Sequence, residues 1–546
     1  MKNLILPVAF VSYLSVFAQT IDEGLKYMDI EQYANARKTF YTLANKTPQT
    51  AENLYYLGDY YIVMSGIDSS LTKEYLDSAK AAFIKAKAID PKYAMNLVGL
   101  GTIKYLARDW DSSKVYYENA IKMGKKNART YAKIGEGYLY KGKKDIDVAI
   151  PQIAKACELD AKNTDYMILL GDAYLIKDEG NATRAVKQYD MAVAANPKLT
   201  KAHIKKGKIW IQARNYKAAL DDYNKGVSAD PGYAPAYRER AELYFKLKDY
   251  RDKASAEYKK YLEMSDGNYK SKARYASILY KNNEYKAALD QISALFKINP
   301  DDRALYRLSA YCAYELGAAS KDTVEYKALF SKGLADINKF IELTKDTSKL
   351  ILYDYEYLGK LMIRNGMDSL GFIQVMKAFR MDSTRFDIFK DLATQLNDAK
   401  KYKAAGDAYS VYFKYKKPGL NDLLSWGRCY YNAENFVLAD TVFNQIIKQK
   451  PTEILGYKWR ALANDRIDKD GKSGIAIPHY TKYLELANAD PAKYKNDIIR
   501  AYTYMGKYYL NTKEFKKSKE YWQKIAAIDP ADQNAQIVLK QLKDVK

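Results

Sequence analysis

The sequence is poor in the residues that most often build metal sites and active sites. Its 546 residues include two histidines, His203 and His479, and three cysteines. The histidines lie far apart in the sequence, and no cysteines have metal-ligand spacing. The patterns HExxH, CxxC and GxxxxGK are absent. The sequence therefore predicts a non-catalytic protein that needs neither a metal nor another cofactor.

The cysteines are too few and too widely spaced to form a disulfide framework. Cys157, Cys312 and Cys429 are each expected to be free thiols that pack as small apolar residues in a helical core.

Long apolar runs are also missing after the first twenty residues, "MKNLILPVAFVSYLSVFAQT". Lys2, the apolar run from Leu4 to Phe17, and the small residues Val16 and Ala18 fit a signal peptide spanning residues 1–18. The run is shorter than the roughly 20 residues that span a bilayer, and no cysteine follows it as in a lipoprotein. An uncleaved anchor is the alternative. We expect an exported protein without a membrane span, either soluble in the periplasm or peripherally associated with the envelope.

Basic residues outnumber acidic ones, with 89 Lys and Arg against 66 Asp and Glu, which gives a net charge of +23. This excess favours acidic partners. The export signal argues against nucleic acid as the partner. Tyrosine is abundant, with 53 residues against 16 Phe and 5 Trp.

A repeated pattern runs through the chain. The segment "NYKAALDDYNKGVSADP" at 215–231 returns as "EYKAALDQISALFKINP" at 284–300. Each unit has a small residue, a second small residue twelve positions later, and a large, usually aromatic residue four positions after that. In one unit these are Gly207, Ala219 and Tyr223. The first small residues are Gly24, Gly58, Gly101, Gly135, Gly171, Gly207, Ala241, Ala276, Ala310, Gly359, Ala393, Gly427, Ala461 and Gly506.

Apolar residues at i, i+3, i+4 and i+7 in each half-unit predict two amphipathic helices per repeat. Small residues let the paired helices approach closely, and proline near the end of many units stops the second helix. One such hairpin cannot bury its faces alone, whereas stacked neighbours can.

This pattern resembles the tetratricopeptide (TPR) repeat, a helical hairpin of 34 residues. The resemblance covers residues 19 to 530. It implies an all-α fold, a right-handed α-solenoid of about fourteen stacked helix-turn-helix repeats, and a scaffold that binds proteins. Residues 531–546 are expected to form a C-terminal capping helix.

Extra residues in the ninth repeat predict an irregular junction at 318–352, where the second helix is expected to lack the small and aromatic residues. The junction would separate an N-terminal array, 19–317, from a C-terminal array, 353–530. A bend is expected there.

Charge is unevenly distributed over positions 2, 5, 9, 12 and 13 of the repeats, which lie on the first helix of each unit. Acidic residues prevail in repeats 1 to 5, and basic residues prevail from repeat 6 onward. Such segregation along the concave groove implied by the family would orient an extended partner; a solvated surface of no function is the alternative. Most tyrosines occupy the aromatic positions of the repeat and are expected to pack in the core. For those on groove positions, Tyr105, Tyr280, Tyr311, Tyr314 and Tyr431, packing against neighbours and contact with a ligand stay equally open. The candidate groove residues are Lys201, Lys208, Arg238, Lys246, Lys270, Tyr280, Arg307, Tyr311, Tyr314, Lys360, Arg428 and Tyr431.

Position 9 of the repeats is never Asn, which argues against a carboxylate clamp of the chaperone type. The sequence favours a periplasmic scaffold for a transport, secretion or outer-membrane assembly machine, with partner proteins that carry acidic segments. The alternative is direct binding of an anionic envelope polymer or surface, such as cell-wall glycan or lipopolysaccharide.

Overall fold

A computed structural model describes residues 19–545, except for the side chains of residues 69 and 248. Within that range the chain forms 29 α-helices, three short 3-10 helices and no β-strand. The all-α class predicted from the sequence is confirmed. No helix between residues 19 and 545 is both long and apolar enough to cross a membrane. The predicted signal peptide, residues 1–18, lies outside the described residues.

Successive α-helices pair into fourteen hairpins, numbered here as repeats 1 to 14, from α1/α2 to α27/α28. The first eight repeats contain α1 (Ile21–Asp29), α2 (Tyr33–Ala44), α3 (Ala51–Ile67), α4 (Thr72–Ile89), α5 (Ala94–Leu106), α6 (Trp110–Met123), α7 (Ala128–Leu139), α8 (Ile146–Leu159), α9 (Thr164–Lys177), α10 (Thr183–Ala195), α11 (Thr200–Gln212), α12 (Tyr216–Ala229), α13 (Ala234–Lys246), α14 (Arg251–Met264), α15 (Tyr269–Lys281) and α16 (Tyr285–Phe296).

Repeats 9 to 14 and the last helix complete the chain. They contain α17 (Arg303–Ala319), α18 (Thr323–Thr344), α19 (Leu352–Arg364), α20 (Asp368–Met381), α21 (Asp387–Asp398), α22 (Tyr402–Tyr412), α23 (Leu420–Asn432), α24 (Phe436–Gln449), α25 (Ile454–Ile467), α26 (Ile477–Ala487), α27 (Lys495–Asn511), α28 (Phe515–Ile528) and α29 (Gln533–Gln541). The predicted terminal helix is α29, and its Ala535 packs against Trp522 and Ile525 of α28.

Close contact between a glycine and an aromatic ring holds many of the hairpins together. A methyl group on Gly207 would lie 2.3 Å from a ring carbon of Tyr223, which is fully buried. Phe83 fills the space over two glycines, Gly58 of its own repeat and Gly99 of the next. The aromatic residue therefore closes its own hairpin and also joins it to the following one.

The ninth repeat corrects one sequence-based expectation. Its second helix, α18, is a regular helix of 22 residues. Gly333 supplies the small residue, because a methyl group there would meet Ala310 and Ala313 of α17 at 3.3 Å. Phe330 and Phe340 supply buried aromatic rings. The extra residues lengthen the helices, so the spacing of the small residue shifts while the packing chemistry is kept.

The chain divides into two compact units between Leu308 and Ser309, inside α17. This point precedes the stretch 318–352 that the sequence predicts as a junction. The bend expected there stays a prediction, as do the boundaries of the two arrays.

Candidate binding surfaces

The first unit closes on itself, because repeat 1 docks against repeats 6, 7 and 8. Glu31, in the turn between α1 and α2, accepts hydrogen bonds from the Arg238 guanidinium at 2.6 and 2.7 Å. The Tyr261 hydroxyl donates to the same carboxylate at 2.7 Å. Glu31 has the left-handed backbone conformation, with φ of 61°. One acidic side chain in a tight turn thus joins parts of the chain that are far apart in sequence.

Backbone groups strengthen this closure. The Asp266 amide donates to the Glu31 carbonyl at 3.1 Å, and the Gln32 side-chain amide donates to the Met264 carbonyl at 2.8 Å. The N-cap residue of α2, Gln32, makes no side-chain capping bond. Instead, the Asp266 carboxylate accepts a hydrogen bond from the Ala34 amide at 2.5 Å. A residue of the α14–α15 loop therefore satisfies a free amide at the start of α2.

Lys201 of repeat 6 joins the same closure. Its ammonium lies 3.1 Å from the Asp29 carboxylate and 3.7 Å from that of Asp165. Burial alone would lower the pKa of Lys201, but the two carboxylates outweigh it and raise the pKa above its usual value. Lys208 pairs with Glu239 at 3.1 Å.

The sequence-based expectation of an open basic groove at repeats 6 to 8 is therefore corrected. Lys201 and Arg238, predicted to receive the acidic part of a ligand, hold the acidic turn of repeat 1 instead. Opposite charges attract across this short distance and exclude a further anion from the same donors. The acidic residues of the early repeats and the basic residues of repeats 6 to 8 are thus explained in large part by ion pairs within the chain.

Acidic residues of the early repeats also have internal partners. Lys133 of α7 lies 2.9 Å from the Asp59 carboxylate of α3 and 2.8 Å from that of Glu136. Burial raises the pKa of Asp59, and the Lys133 ammonium opposes that rise. Arg129 pairs with Glu52 at 2.9 Å. These ion pairs link the first helices of repeats 2 and 4.

A cleft of about 1100 Å³ lies beside the closure, and we call it the seam cleft. One wall comes from α2 and α3, and the other from the segments around the α14–α15 and α16–α17 loops. Its lining residues are Tyr33, Ala34, Arg37, Lys38, Tyr41, Tyr60, Met64, Ile67, Asp68, Ser70, Asp266, Asn268, Tyr269, Lys270, Ile298 and Asn299.

The cations of the seam cleft are available to a ligand, whereas its carboxylates are engaged. Arg37, Lys38 and Lys270 are exposed and form no ion pair among the residues that the structure describes. Asp68 accepts hydrogen bonds from the Ser70 amide at 3.0 Å and from its hydroxyl at 2.5 Å, and Asp266 caps α2. Of the predicted groove residues, Lys270 is therefore the one that lines the seam cleft and is exposed there.

Three predicted groove residues of the second unit are buried. The Tyr311 hydroxyl donates to Asp354 at 2.6 Å, and its ring stacks on that of Tyr357 with centroids 4.0 Å apart. Tyr314 donates to Gln395. Lys360, which is 9% exposed, pairs with a buried glutamate. A ligand cannot reach these side chains in this structure, so packing decides between the two alternatives left open for Tyr311 and Tyr314.

The other predicted groove residues are scattered rather than gathered. Lys246 is exposed at the end of α13, and Arg428 is exposed on α23, with its guanidinium 5.4 Å from the Trp459 ring centroid. Tyr431 is half-buried edge-on to Trp459, Tyr280 lies beside Tyr285, and Arg307 is half-buried in α17. No common site emerges from this set within either unit.

One of the two histidines, His203, belongs to a buried polar network. His203 is buried and contacts the Asp222 carboxylate at 3.1 Å, and the Trp210 indole donates to the same carboxylate at 2.8 Å. This network joins α11 to α12 and is structural. Residues 19–545 contain no cluster of three or more His, Cys, Asp or Glu side chains suited to a metal.

The cysteines are free thiols in helices. Burial raises the pKa of Cys157 to about 11, that of Cys312 to about 12 and that of Cys429 to about 11. At neutral pH they are therefore protonated and weak nucleophiles.

Comparison with known proteins gives structural neighbours only. No protein-family model and no curated protein matches the chain. Among solved structures, the C-terminal part of a TPR repeat-containing protein from Cytophaga hutchinsonii is 29% identical, covers 49% of this chain and 99% of that one, and has a TM-score of 0.33. A structure of the MamA protein is 26% identical, covers 32% of this chain and 92% of that one, and has a TM-score of 0.25. A TPR protein from Thermus thermophilus is 19% identical over 34% of this chain and 99% of its own, with a TM-score of 0.29. Each TM-score lies below 0.5, so the fold assignment stands on the hairpins of this chain itself.

Sequence reasoning missed the seam cleft. Its residues come from repeats 1, 2 and 8 and from the loop after α16, which no periodic pattern places together. Two signals in the sequence were the acidic turn "MDIEQY" of repeat 1 and the basic first helices of repeats 6 to 8. Opposite charge at a separation of about six repeats indicates a contact across one turn of a solenoid.

Proposed function

We propose that the protein is a non-catalytic scaffold that binds other proteins in the bacterial periplasm. The observation that carries this proposal is the seam cleft, an open surface of about 1100 Å³ whose unengaged charged groups are three cations. Its lining holds no histidine or cysteine, and the Ser70 hydroxyl that donates to Asp68 at 2.5 Å belongs to the N-cap interaction of a short 3-10 helix. Binding is the activity that such a surface supports.

The envelope location rests on the N-terminal segment. Residues 1–18 carry the charge, the apolar run and the small residues of a signal peptide. In that location, an array of hairpins would organise parts of a transport, secretion or outer-membrane assembly machine.

Affinity capture from intact envelopes tests this proposal. The full chain, tagged at its C-terminus and expressed in a diderm host, should appear in the periplasmic fraction with Gln19 at its N-terminus. Cross-linking before lysis should capture a defined set of envelope proteins. A chain that keeps Met1 and stays in the cytoplasm contradicts the proposal.

Direct binding of an anionic envelope polymer is the second candidate. It is favoured by the net charge of +23 and by exposed cations away from the seam cleft, such as Lys246 and Arg428. Binding of a polymer through counterion exchange should fall steeply as salt increases. Binding of a protein through aromatic contacts should fall much less. Lipopolysaccharide titrated at two salt concentrations separates the two functions.

A further inference from the structure

We propose that the seam cleft binds an extended acidic peptide segment, in which carboxylate side chains alternate with apolar or aromatic ones. We further infer that this site exists only while repeat 1 is docked on repeats 6 to 8. That the partner is a protein rests on the proposed function. The acidic and apolar character of the bound segment and its place in the seam cleft are new.

The charged groups of the seam cleft select a carboxylate-bearing ligand. Arg37 and Lys38 lie on α2, and Lys270 lies across from them on α15. All three are exposed and without ion pairs among the described residues. The carboxylates of Asp68 and Asp266 accept hydrogen bonds from neutral groups of the chain and form no ion pair with these cations among the described residues, so the lining keeps three positive charges against two negative ones. A planar guanidinium such as that of Arg37 suits a carboxylate especially well.

The apolar part of the lining favours a peptide over a glycan polymer. Met64 and Ile67 of α3 and the rings of Tyr33, Tyr41 and Tyr60 belong to this lining. Ile298 and Tyr41 expose 65% and 56% of their surface, which leaves apolar area for a partner to cover. The volume is at or above the upper end of about 300–1,000 Å³ usual for small-ligand sites. A segment of several residues fits this combination better than a small molecule or a uniformly charged polymer.

The closure itself shows the same recognition chemistry within the chain. The Glu31 carboxylate is held by an arginine and a tyrosine hydroxyl, while the backbone of its turn pairs with the α14–α15 loop. An acidic peptide in the adjacent cleft would meet the same residue types, arginine, lysine and tyrosine. This surface of the first unit is therefore built for carboxylates presented by a peptide backbone.

The seam cleft depends on the closure for its second wall. Its two walls belong to repeats 1 and 2 on one side and to repeat 8 and the following loop on the other. The contacts of Glu31, Gln32 and Ala34 with repeats 7 and 8 bring the walls together. Without docking of repeat 1, Lys270 would separate from Arg37 and Lys38, and the three cations could not act on one ligand.

A smaller cleft in the second unit lacks these features. It has a volume of about 690 Å³ and lies beside Phe372, Ile373 and Tyr402. Two of its lysines are neutralised, since Lys401 pairs with Asp368 at 2.5 Å and Lys403 pairs with Asp407 at 2.8 Å. The seam cleft is therefore the stronger site for an acidic segment.

Binding of defined peptides to the full chain tests the ligand class. The probe is a pool of octapeptides in which Asp or Glu alternates with Leu, Phe or Tyr, blocked at both ends. A matched pool carries Asn and Gln in place of the acids. We expect selective retention of the acidic pool, and roughly tenfold weaker binding of the best-retained peptide by the triple variant Arg37→Ala, Lys38→Ala, Lys270→Ala. The control triple variant Lys217→Ala, Lys225→Ala, Lys286→Ala removes the same charge from exposed positions outside the cleft.

Variants of the contacts between repeat 1 and repeat 7 test whether the site depends on docking of repeat 1. Glu31→Arg changes no residue of the cleft lining, yet it should abolish binding by opposing Arg238. Adding Arg238→Glu restores an opposite-charge pair and should recover at least part of the affinity. Circular dichroism of each variant checks that the helices are retained, and recovery in the double variant excludes misfolding as the cause of the loss.

The outcomes separate clearly. Equal retention of the acidic and amide pools, equal loss in both triple variants, or unchanged binding by Glu31→Arg overturns the proposal. If dextran sulfate binds through the cleft cations and the acidic peptides do not bind, the peptide proposal is overturned and the ligand class is a polyanionic polymer. Failure of the peptides together with successful envelope capture overturns this site alone. Peptide binding without envelope capture overturns the proposed envelope scaffold and leaves the site standing.

Discussion

Arg238 and Glu31 are 207 positions apart in the chain, and the guanidinium of the one donates to both carboxylate oxygens of the other. Both side chains are largely buried, with 26% and 16% of their surfaces exposed. The pair joins the turn of repeat 1 to the first helix of repeat 7. It is the centre of the contacts that close the first unit.

Replacing Glu31 with Gln should loosen this closure. The variant keeps the shape of the side chain and removes the negative charge that pairs with Arg238. Since hydrogen bonds to charged groups contribute about 1.5–3 kcal/mol and this pair is partly exposed, we expect a loss of about 1–2 kcal/mol. Hydrogen exchange of the Asp266 amide, which donates to the Glu31 carbonyl, should become roughly tenfold faster.

The matched control for this prediction is Glu257→Gln. It breaks the Arg240–Glu257 pair, which lies in repeat 7, as Arg238 does, and is not part of the contacts with repeat 1. The Asp266 amide should exchange there as in the wild type. Equal acceleration in both variants would show a general destabilisation and contradict a specific role of Glu31 in closure.

A methyl group at Gly207 should destabilise the sixth repeat. It would lie 2.3 Å from a Tyr223 ring carbon, and the ring is completely buried and cannot move aside freely. Overpacking of this kind costs about 1–3 kcal/mol, against at most about 1 kcal/mol gained from better helix propensity. We expect Gly207→Ala to lower the urea midpoint of unfolding measured by circular dichroism.

Gly66→Ala serves as the comparison. No atom lies within 4 Å of a methyl group added at Gly66, which is also in a helix. This variant should be neutral or more stable than the wild type. If the two alanine variants unfold at the same urea concentration, close packing of glycine against the aromatic ring does not hold the hairpin.

Removing the charge of Glu356 should strongly destabilise the second unit. Glu356 and Lys360 are 5% and 9% exposed, and their charged atoms lie 2.6 Å apart. Glu356→Gln leaves the Lys360 ammonium buried without its closest carboxylate, at a cost of about 3–5 kcal/mol. The expected result is a large shift of the urea midpoint toward lower concentration.

Two further variants define this effect. Glu356→Leu combined with Lys360→Met removes both buried charges and should recover most of the lost stability, because Arg385, which also pairs with Glu356 at 3.1 Å, is one-third exposed and stays solvated. Glu485→Gln breaks the exposed Lys482–Glu485 pair and should cost less than about 1 kcal/mol. A double variant as unstable as Glu356→Gln would contradict an unpaired buried charge as the cause.

Asp468 should make the second unit sensitive to acid. Its carboxylate accepts hydrogen bonds from the Tyr504 hydroxyl at 2.6 Å and from the amides of Lys472, Ser473 and Gly474 at 3.0–3.1 Å. Burial would raise the pKa of Asp468, but these bonds outweigh it and lower the pKa to about 2. Because this value lies below the usual value of about 3.9, the carboxylate stabilises the fold above about pH 4. This contribution is lost as the pH falls from about 4 to about 2.

Asp468→Asn should remove that contribution at every pH. We expect a loss of about 2–3 kcal/mol at neutral pH, and a flatter dependence of stability on pH between about 4 and 2. Asp470→Asn alters an exposed neighbour in the same loop and should keep the wild-type profile. Parallel acid profiles for wild type and Asp468→Asn would refute the role of this carboxylate.

The hairpins could be predicted from the sequence because their determinants are local and periodic. Gly207, Ala219 and Tyr223 lie within one hairpin, and the same spacing returns along the chain. In repeat 9 the helices are longer, so the regular spacing did not locate the small residue of the second helix. That residue is Gly333, which packs against the first helix. Amphipathic periodicity sets the helices, and it does not set their lengths.

The candidate site depended on contacts that no period encodes. The sequence indicated that Lys201 and Arg238 would face acidic groups, and only the folded first unit showed that those groups are Asp29 and Glu31 of the same chain. Likewise, Arg37 and Lys270 share a cleft because the rotation accumulated over several repeats returns repeat 1 to repeat 8. Small rotations between neighbours add up along a solenoid, so local sequence determines each hairpin, and the tertiary structure alone decides which distant hairpins meet.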